Sequence, residues 1–195
     1  MRFRSYPDRN SSSPTTERRL LLGRRHFLAG AGISLFVPRS VRANTMGARE
    51  LSFDNIHTGE KLKVEYWANG QYLPDAMMEV NRLLRDFRTG QVHPIAPQLL
   101  DLLAHLRDRL ETKQAVTVIS GFRSPTTNAM LRAEHEHSGV ASKSLHMQGM
   151  AIDIRIPGRE LADLHVAALA ERRGGVGYYP QSDFVHVDVG RARSW

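Results

Sequence analysis

The sequence predicts a single α+β domain, residues 44–195, behind an N-terminal leader. Three observations carry the prediction. Apolar residues at helical spacing dominate the first part of the domain, and segments alternating with period two gather towards its end. No internal repeat or Gly-rich phosphate loop interrupts that order, and 41% apolar residues in a chain of 195 suffice for one core.

Residues 1–43 read as an address rather than as part of the fold. They hold nine arginines against Asp8 and Glu17, so the whole formal charge of +7 resides there, while residues 44–195 balance 18 basic against 18 acidic side chains. A nucleic-acid binder keeps its basic patch in the folded part, and that class is set aside. The segment Gly23-Arg24-Arg25-His26-Phe27-Leu28-Ala29 resembles the twin-arginine export signature. The apolar run from Phe27 to Val37 follows it. As a helix that run reaches about 16 Å, roughly half a bilayer core, which is too short for a membrane span and suits a signal h-region. Val41-Arg42-Ala43 places small residues for cleavage after Ala43. This resemblance implies the twin-arginine translocase as a partner during export, a periplasmic destination and no membrane span after cleavage. The chain has no cysteine, which excludes disulfides, thiolate ligands, a lipoprotein anchor and a cysteine nucleophile.

Along the domain, Leu51-Ser52-Phe53 and Leu62 to Tyr66 alternate as strands around a turn at His57-Thr58-Gly59-Glu60. Met77, Val80, Leu84 and Phe87 mark a helix face that Gly90 can terminate. A second helix starts near Pro97, a residue suited to a first turn, and buries Leu99, Leu103, Leu106 and Leu110. Val116 to Ile119 is a strand leading into Ser120-Gly121, and a third helix covers about Asn128 to Glu134, ahead of a polar loop, Ser138 to Lys143. Met150 to Ile156 and Val185 to Val189 are strands; between them Leu161, Leu164, Ala168 and Leu169 form a last helix, closed by Gly174-Gly175.

The chemistry concentrates on those two late strands. Alternation sets Met150, Ile152, Ile154 and Ile156 on one face and Ala151, Asp153 and Arg155 on the other. It likewise sets His186 and Asp188 opposite three valines. A carboxylate among β-branched residues needs a cation, a metal or several donors; Arg155, on the same face, is the plain ion-pair partner for Asp153. With His146 seven residues before Asp153, two histidines and one carboxylate make the ligand set of a catalytic zinc with an open fourth position. His135-Glu136-His137 has a metal-like composition, but its i, i+2 spacing diverges on a helix. His57 has no partner that the sequence names, and His93, His105 and His165 read as incidental loop or helix residues.

Ser144-Leu145-His146-Met147-Gln148-Gly149-Met150-Ala151-Ile152-Asp153 resembles the Ser-x-His-x-x-Gly-x-Ala-x-Asp signature of peptidoglycan peptidases related to the zinc D-Ala-D-Ala carboxypeptidases, peptidase family M15. Ser120-Gly121-Phe122-Arg123-Ser124 resembles the Ser-Gly-Tyr-Arg-Ser element of that group, with Phe for Tyr. Gly174 to Pro180 and Phe184 to Gly190 are similar to its murein endopeptidase K branch. The resemblance runs from about Leu51 to Trp195. It implies a hedgehog/DD-peptidase-like fold in which a small antiparallel sheet carries the zinc site between flanking helices. It further implies Zn2+ held by His146, Asp153 and His186, with Arg123 and Ser144 holding a carboxylate or carbonyl of a peptidoglycan peptide. Many relatives place Glu three residues before the last histidine ligand, where this chain has Asp183. Strand parity favours Asp188 instead as the general base, or as an acceptor orienting a ligand. The implied activity is zinc-assisted cleavage of cross-links or stem peptides in cell-wall remodelling. Its rivals are a D,D-carboxypeptidase trimming terminal D-Ala and a zinc-holding module that binds wall peptides without cutting them.

Replacing Arg24 and Arg25 together with Lys is expected to hold the protein in the cytoplasm, because twin-arginine receptors read guanidinium groups rather than charge alone. Cell fractionation of the two forms checks this, and unchanged export of the variant would contradict it.

Overall fold

Period-two alternation sets the architecture, because it gives each strand an apolar side to bury. The computed structural model describes residues 47–134 and 141–195. The leader with Arg24-Arg25, and the His135-Glu136-His137 group, lie outside the described residues. In chain order the elements are β1 (Arg49–Asn55), β2 (Lys61–Ala68), β3 (Gln71–Tyr72), α1 (Pro74–Leu83), α2 (Pro97–Arg109), β4 (Val116–Ser120), α3 (Pro125–Ala133), β5 (Ala151–Arg155), α4 (Leu161–Glu171), β6 (Gly175–Tyr179), β7 (Phe184–Asp188) and β8 (Arg193–Ser194). A 3-10 turn, Leu145–Gln148, precedes β5. The strands form one eight-stranded sheet in the order β3-β2-β1-β4-β5-β7-β6-β8.

The domain is α+β, as expected, but its sheet is larger than expected and mixed. β1 pairs with β4 in parallel, and so does β6 with β8. The first pair follows from a long crossover through α1 and α2, which returns the chain in the same direction. The strands bearing Asp153 and His186, β5 and β7, pair antiparallel.

Leu51 and Phe53, Val64 and Tyr66, Val116 and Val118, Ile152 and Ile154, and Val185 and Val187 are all buried, one pair from each of five strands. Helix α1 packs on β2, α2 on β1, and α4 on β6 and β7. Their Val80, Leu99, Leu103, Leu106 and Leu164 complete the core. Each such side chain contributes about 1.5–3 kcal/mol of transfer free energy. The alternate residues of β5 and β7 carry Asp153, His186 and Asp188 on the other side of the strands. Among the described residues no helix is long and apolar enough to cross a membrane.

Two helix ends differ from expectation. Helix α4 stops at Arg172, which adopts a left-handed φ of 52°, and Gly175 already belongs to β6. Helix α1 stops at Leu83 rather than near Gly90, because Asp86 organises the following loop. Its Oδ1 accepts from the backbone N–H of Arg88 at 3.0 Å, and its Oδ2 from that of Ser124 at 2.8 Å. Ser124 is in turn the N-cap of α3, accepting from Thr127 N–H at 3.2 Å, with Pro125 at the first helical position. Helix α3 therefore begins three residues earlier than its apolar pattern suggested.

Burial pushes the Asp86 carboxyl up, but hydrogen bonds from Thr127, Ser124 and Arg88 outweigh it and hold the group down at about 2. Asp86→Ala is expected to cost roughly 3 kcal/mol, since it strands charge-assisted donors in a buried loop. Because the folded-state pKa lies below the ordinary 3.8, the contribution is complete above that value and is lost as pH falls through about 2. Urea titrations of both proteins at pH 7 and pH 2.5 measure it; the difference in stability should shrink at the lower pH.

Candidate metal centre

Pairing register brings the first two ligating residues together. Asp153 and His186 stand directly opposite each other across β5 and β7, so both side chains leave the same face. His146 arrives from the 3-10 turn. Ser144 caps that turn, its Oγ accepting from His146 N–H at 3.3 Å, and Gly149 ends it at a left-handed φ of 65°. A Cβ on Gly149 would also lie 2.1 Å from the Pro94 carbonyl oxygen, so no other residue fits there.

His146 Nε2, His186 Nδ1 and Asp153 Oδ1 lie 2.8–3.2 Å from one another, and all three residues are buried. Their outward contacts fix which nitrogens carry protons. His146 Nδ1 is 2.7 Å from the Gly121 carbonyl oxygen, which only accepts, so Nδ1 holds the proton and Nε2 a lone pair. His186 Nε2 donates to Asp188 Oδ2 at 3.2 Å, which leaves the lone pair on Nδ1. With both imidazoles neutral, two lone pairs and a carboxylate oxygen thus converge on one point. They repel one another unless a cation sits among them. Two ligands about 2.05 Å from a tetrahedral ion would be about 3.3 Å apart, close to the spacing observed.

Electrostatics at the centre favour positive charge there, as a proton on His186 or as a metal ion. Burial lowers both imidazoles; at His146 it prevails, while at His186 the contacts with Asp153 and Asp188 overcome it and raise the pKa. Burial opposes ionisation of Asp153 too, yet His146, His186 and Arg123 outweigh it and hold the carboxyl well below its usual range. The position therefore draws positive charge. A cavity of about 140 Å³ opens on the group, its walls including Arg123, Ser144, Tyr179, Phe184, Arg193 and Trp195. Two imidazoles and one carboxylate beside such a cavity can hold a metal ion and leave it one side for a ligand.

The chain's similarity to known proteins is extensive. The family described as "Peptidoglycan L,D-endopeptidase MepK" (Peptidase_M15_2) matches residues 43–195. Peptidoglycan L,D-endopeptidase MepK of Escherichia coli strain K12 is 42% identical over 177 residues, covering 88% of this chain and 96% of the relative. Probable peptidoglycan L,D-endopeptidase MepK of Haemophilus influenzae is 41% identical over 178 residues, covering 88% and 95%. This chain belongs to that family of peptidoglycan endopeptidases.

The other residues singled out in the sequence occupy distinct places around the centre. Arg123 lines the cavity; it pairs with Asp153 Oδ2 and donates from Nε to Ser120 Oγ at 2.9 Å. It takes the ion-pair role that strand parity gave to Arg155, because β4 carries its loop beside β5 whereas Arg155 pairs with Asp183. Asp183 sits in the turn before β7 at φ 54°, with 60% of its side chain exposed. Asp188 is wholly buried. Its Oδ1 accepts from Gly175 N–H, Gly190 N–H and Arg193 Nη1 at 2.8, 2.9 and 3.1 Å. Its Oδ2 accepts from Arg193 Nη2 at 2.7 Å as well as from His186. Burial opposes the charge, but these donors hold the Asp188 carboxyl well below its usual range. His57 donates to the Ile119 carbonyl at 3.0 Å and stacks on Phe87, which makes it part of the fold. His93 and His165 stack on Phe122 and Tyr178.

Sequence reasoning missed Arg193, Tyr179, Phe184 and Trp195 as walls of the cavity. The signal was thin. The Gly-x-Gly-Tyr-Tyr run of β6 breaks the alternation that marks strands, and β8 is only two residues long.

His146→Ala or His186→Ala is expected to leave the centre with two ligating side chains and to abolish retention of one equivalent of metal against a chelator. Metal analysis after dialysis checks this, and full occupancy in either variant would mean that the ion is held elsewhere.

Proposed function

We propose that this chain cleaves peptide cross-links of peptidoglycan as a zinc-dependent L,D-endopeptidase, with His146, Asp153 and His186 as the zinc ligands. The observation that carries the reading is the convergence of three buried ligand-capable atoms, in a family whose curated members are called peptidoglycan L,D-endopeptidases. Two nitrogens and one oxygen on a tetrahedral spacing suit zinc, whereas magnesium and calcium prefer all-oxygen, higher-coordinate sites.

When bound, zinc supplies Lewis acidity towards water and a scissile carbonyl. The chain's own residues do the rest. His146, fixed by the Gly121 carbonyl, and His186, fixed by Asp188, present lone pairs without reorganisation. Arg123 neutralises the outer oxygen of Asp153 and, with Ser144, offers donors to a carboxylate or carbonyl of the peptide. Asp188 is assigned to orienting His186: a carboxylate already accepting five hydrogen bonds is a poor proton acceptor. Cleavage of wall peptides places the work in the periplasm, reached by way of the twin-arginine leader.

Digesting purified peptidoglycan with protein 44–195, with and without chelator, tests the reading. Cross-linked muropeptides should fall to monomers only when zinc is present. Release of terminal D-Ala alone would favour a carboxypeptidase, and zinc binding without any hydrolysis a binding module. Asp188→Asn should weaken zinc affinity by about 10–100-fold through the loosened His186 ring. Asp183→Asn should leave zinc affinity and turnover near wild type. A 10²–10⁴-fold loss of turnover at full zinc occupancy in Asp183→Asn would instead make that residue the general base.

A further inference from the structure

Trp195 is held in a way that burial of the fold alone does not require. Strand β8 lays it along β6: its N–H donates to the Val176 carbonyl, and its carbonyl accepts from Tyr178 N–H, both at 3.2 Å. The indole Nε1 donates to Tyr179 Oη at 2.7 Å. The Arg193 guanidinium lies 4.9 Å from the ring centroid while gripping Asp188, and the His186 ring lies 5.2 Å away. One side of the indole is packed so closely on β6 that a Cβ on Gly177 would come within 2.7 Å of it. Even so, 51% of the residue is exposed, and it lines the cavity beside the ligating group. Tyr179 and Phe184, stacked at 4.6 Å between centroids, extend the same wall.

An aromatic ring held in place yet half exposed beside a cavity is preorganised for a ligand, because the entropy of fixing the side chain is already spent in folding. We propose that Trp195 is a specificity-determining residue of the site: its exposed indole surface receives aliphatic side-chain atoms of the substrate peptide next to the scissile bond. The inference rests on the endopeptidase reading for the nature of that peptide. The competing role is structural, with the indole serving only to hold His186 in place.

The test separates the two and does not depend on turnover alone. Trp195→Ala should retain one zinc, raise KM for a cross-linked muropeptide about tenfold, and leave kcat within about twofold, the signature of lost apolar contact. Trp195→Phe should recover most of the affinity. The chain has two tryptophans, so Trp67→Phe leaves Trp195 as its sole indole emitter. Titrating that variant with a monomeric muropeptide, which lacks the bond to be cut, should shift or quench the emission saturably. Unchanged KM in zinc-loaded Trp195→Ala, or emission indifferent to the muropeptide, would overturn the proposal. Loss of zinc from Trp195→Ala would overturn it too, by making the indole a support for His186. If the wild-type protein hydrolyses no muropeptide, the endopeptidase reading fails, while the emission titration still reports whether Trp195 meets the peptide.

Discussion

Three electron-pair donors within 3.2 Å of one another in a buried place form an arrangement that no chain adopts for its own stability. Each was removed from water, and their electron pairs repel one another unless a cation lies among them. The rest of the fold has to enforce the convergence, and sheet register does most of it. Sliding β5 by one residue against β7 would turn Asp153 into the helix-covered core and an isoleucine into the site. The core contacts of Ile152, Ile154, Val185 and Val187 forbid that slip. Hydrophobic burial on one side of two strands therefore sets ligand geometry on the other.

A second layer of contacts answers the charges so created. Asp153 and Asp188 are both buried carboxylates, and each has an arginine of its own, Arg123 and Arg193. Isolated buried charges of this kind would be prohibitive; paired and fully hydrogen-bonded, they become a rigid frame. Close backbone approach makes the frame possible. A Cβ on Gly174 would lie 1.6 Å from the Asp188 carbonyl oxygen, and one on Gly175 2.4 Å from Asp188 Oδ2. Both glycines are thus required by packing against Asp188 rather than by helix termination, the role their position after an apolar helical run suggests.

What was legible in the sequence follows the range of the forces involved. Parity along Met150–Ile156 and Phe184–Val189 is local, so the ligand face was readable, as were the Pro97 helix start and the apolar strands. The end of α1 was not, because Asp86 closes its loop through Ser124, 38 residues away. Asp188 shared the ligand face with His186, but its partners come from β6 and from Gly190 and Arg193, and parity cannot report how many donors a carboxylate has collected. β6 and β8 escaped because glycines and brevity erase alternation. Their pairing is what brings Tyr179 and Trp195 to the cavity.

The same pairing gives the cavity a polarity. Arg123 adjoins Asp153, whereas Trp195 adjoins His186. Lys143 and Arg193 add further cations to the walls, and Tyr179 and Phe184 add aromatic surface. The walls beside Asp153 and His186 differ, so the two directions a peptide can take across the group are not equivalent. With residues 44–195 balanced in charge, long-range attraction contributes little, and orientation has to come from these short-range contacts.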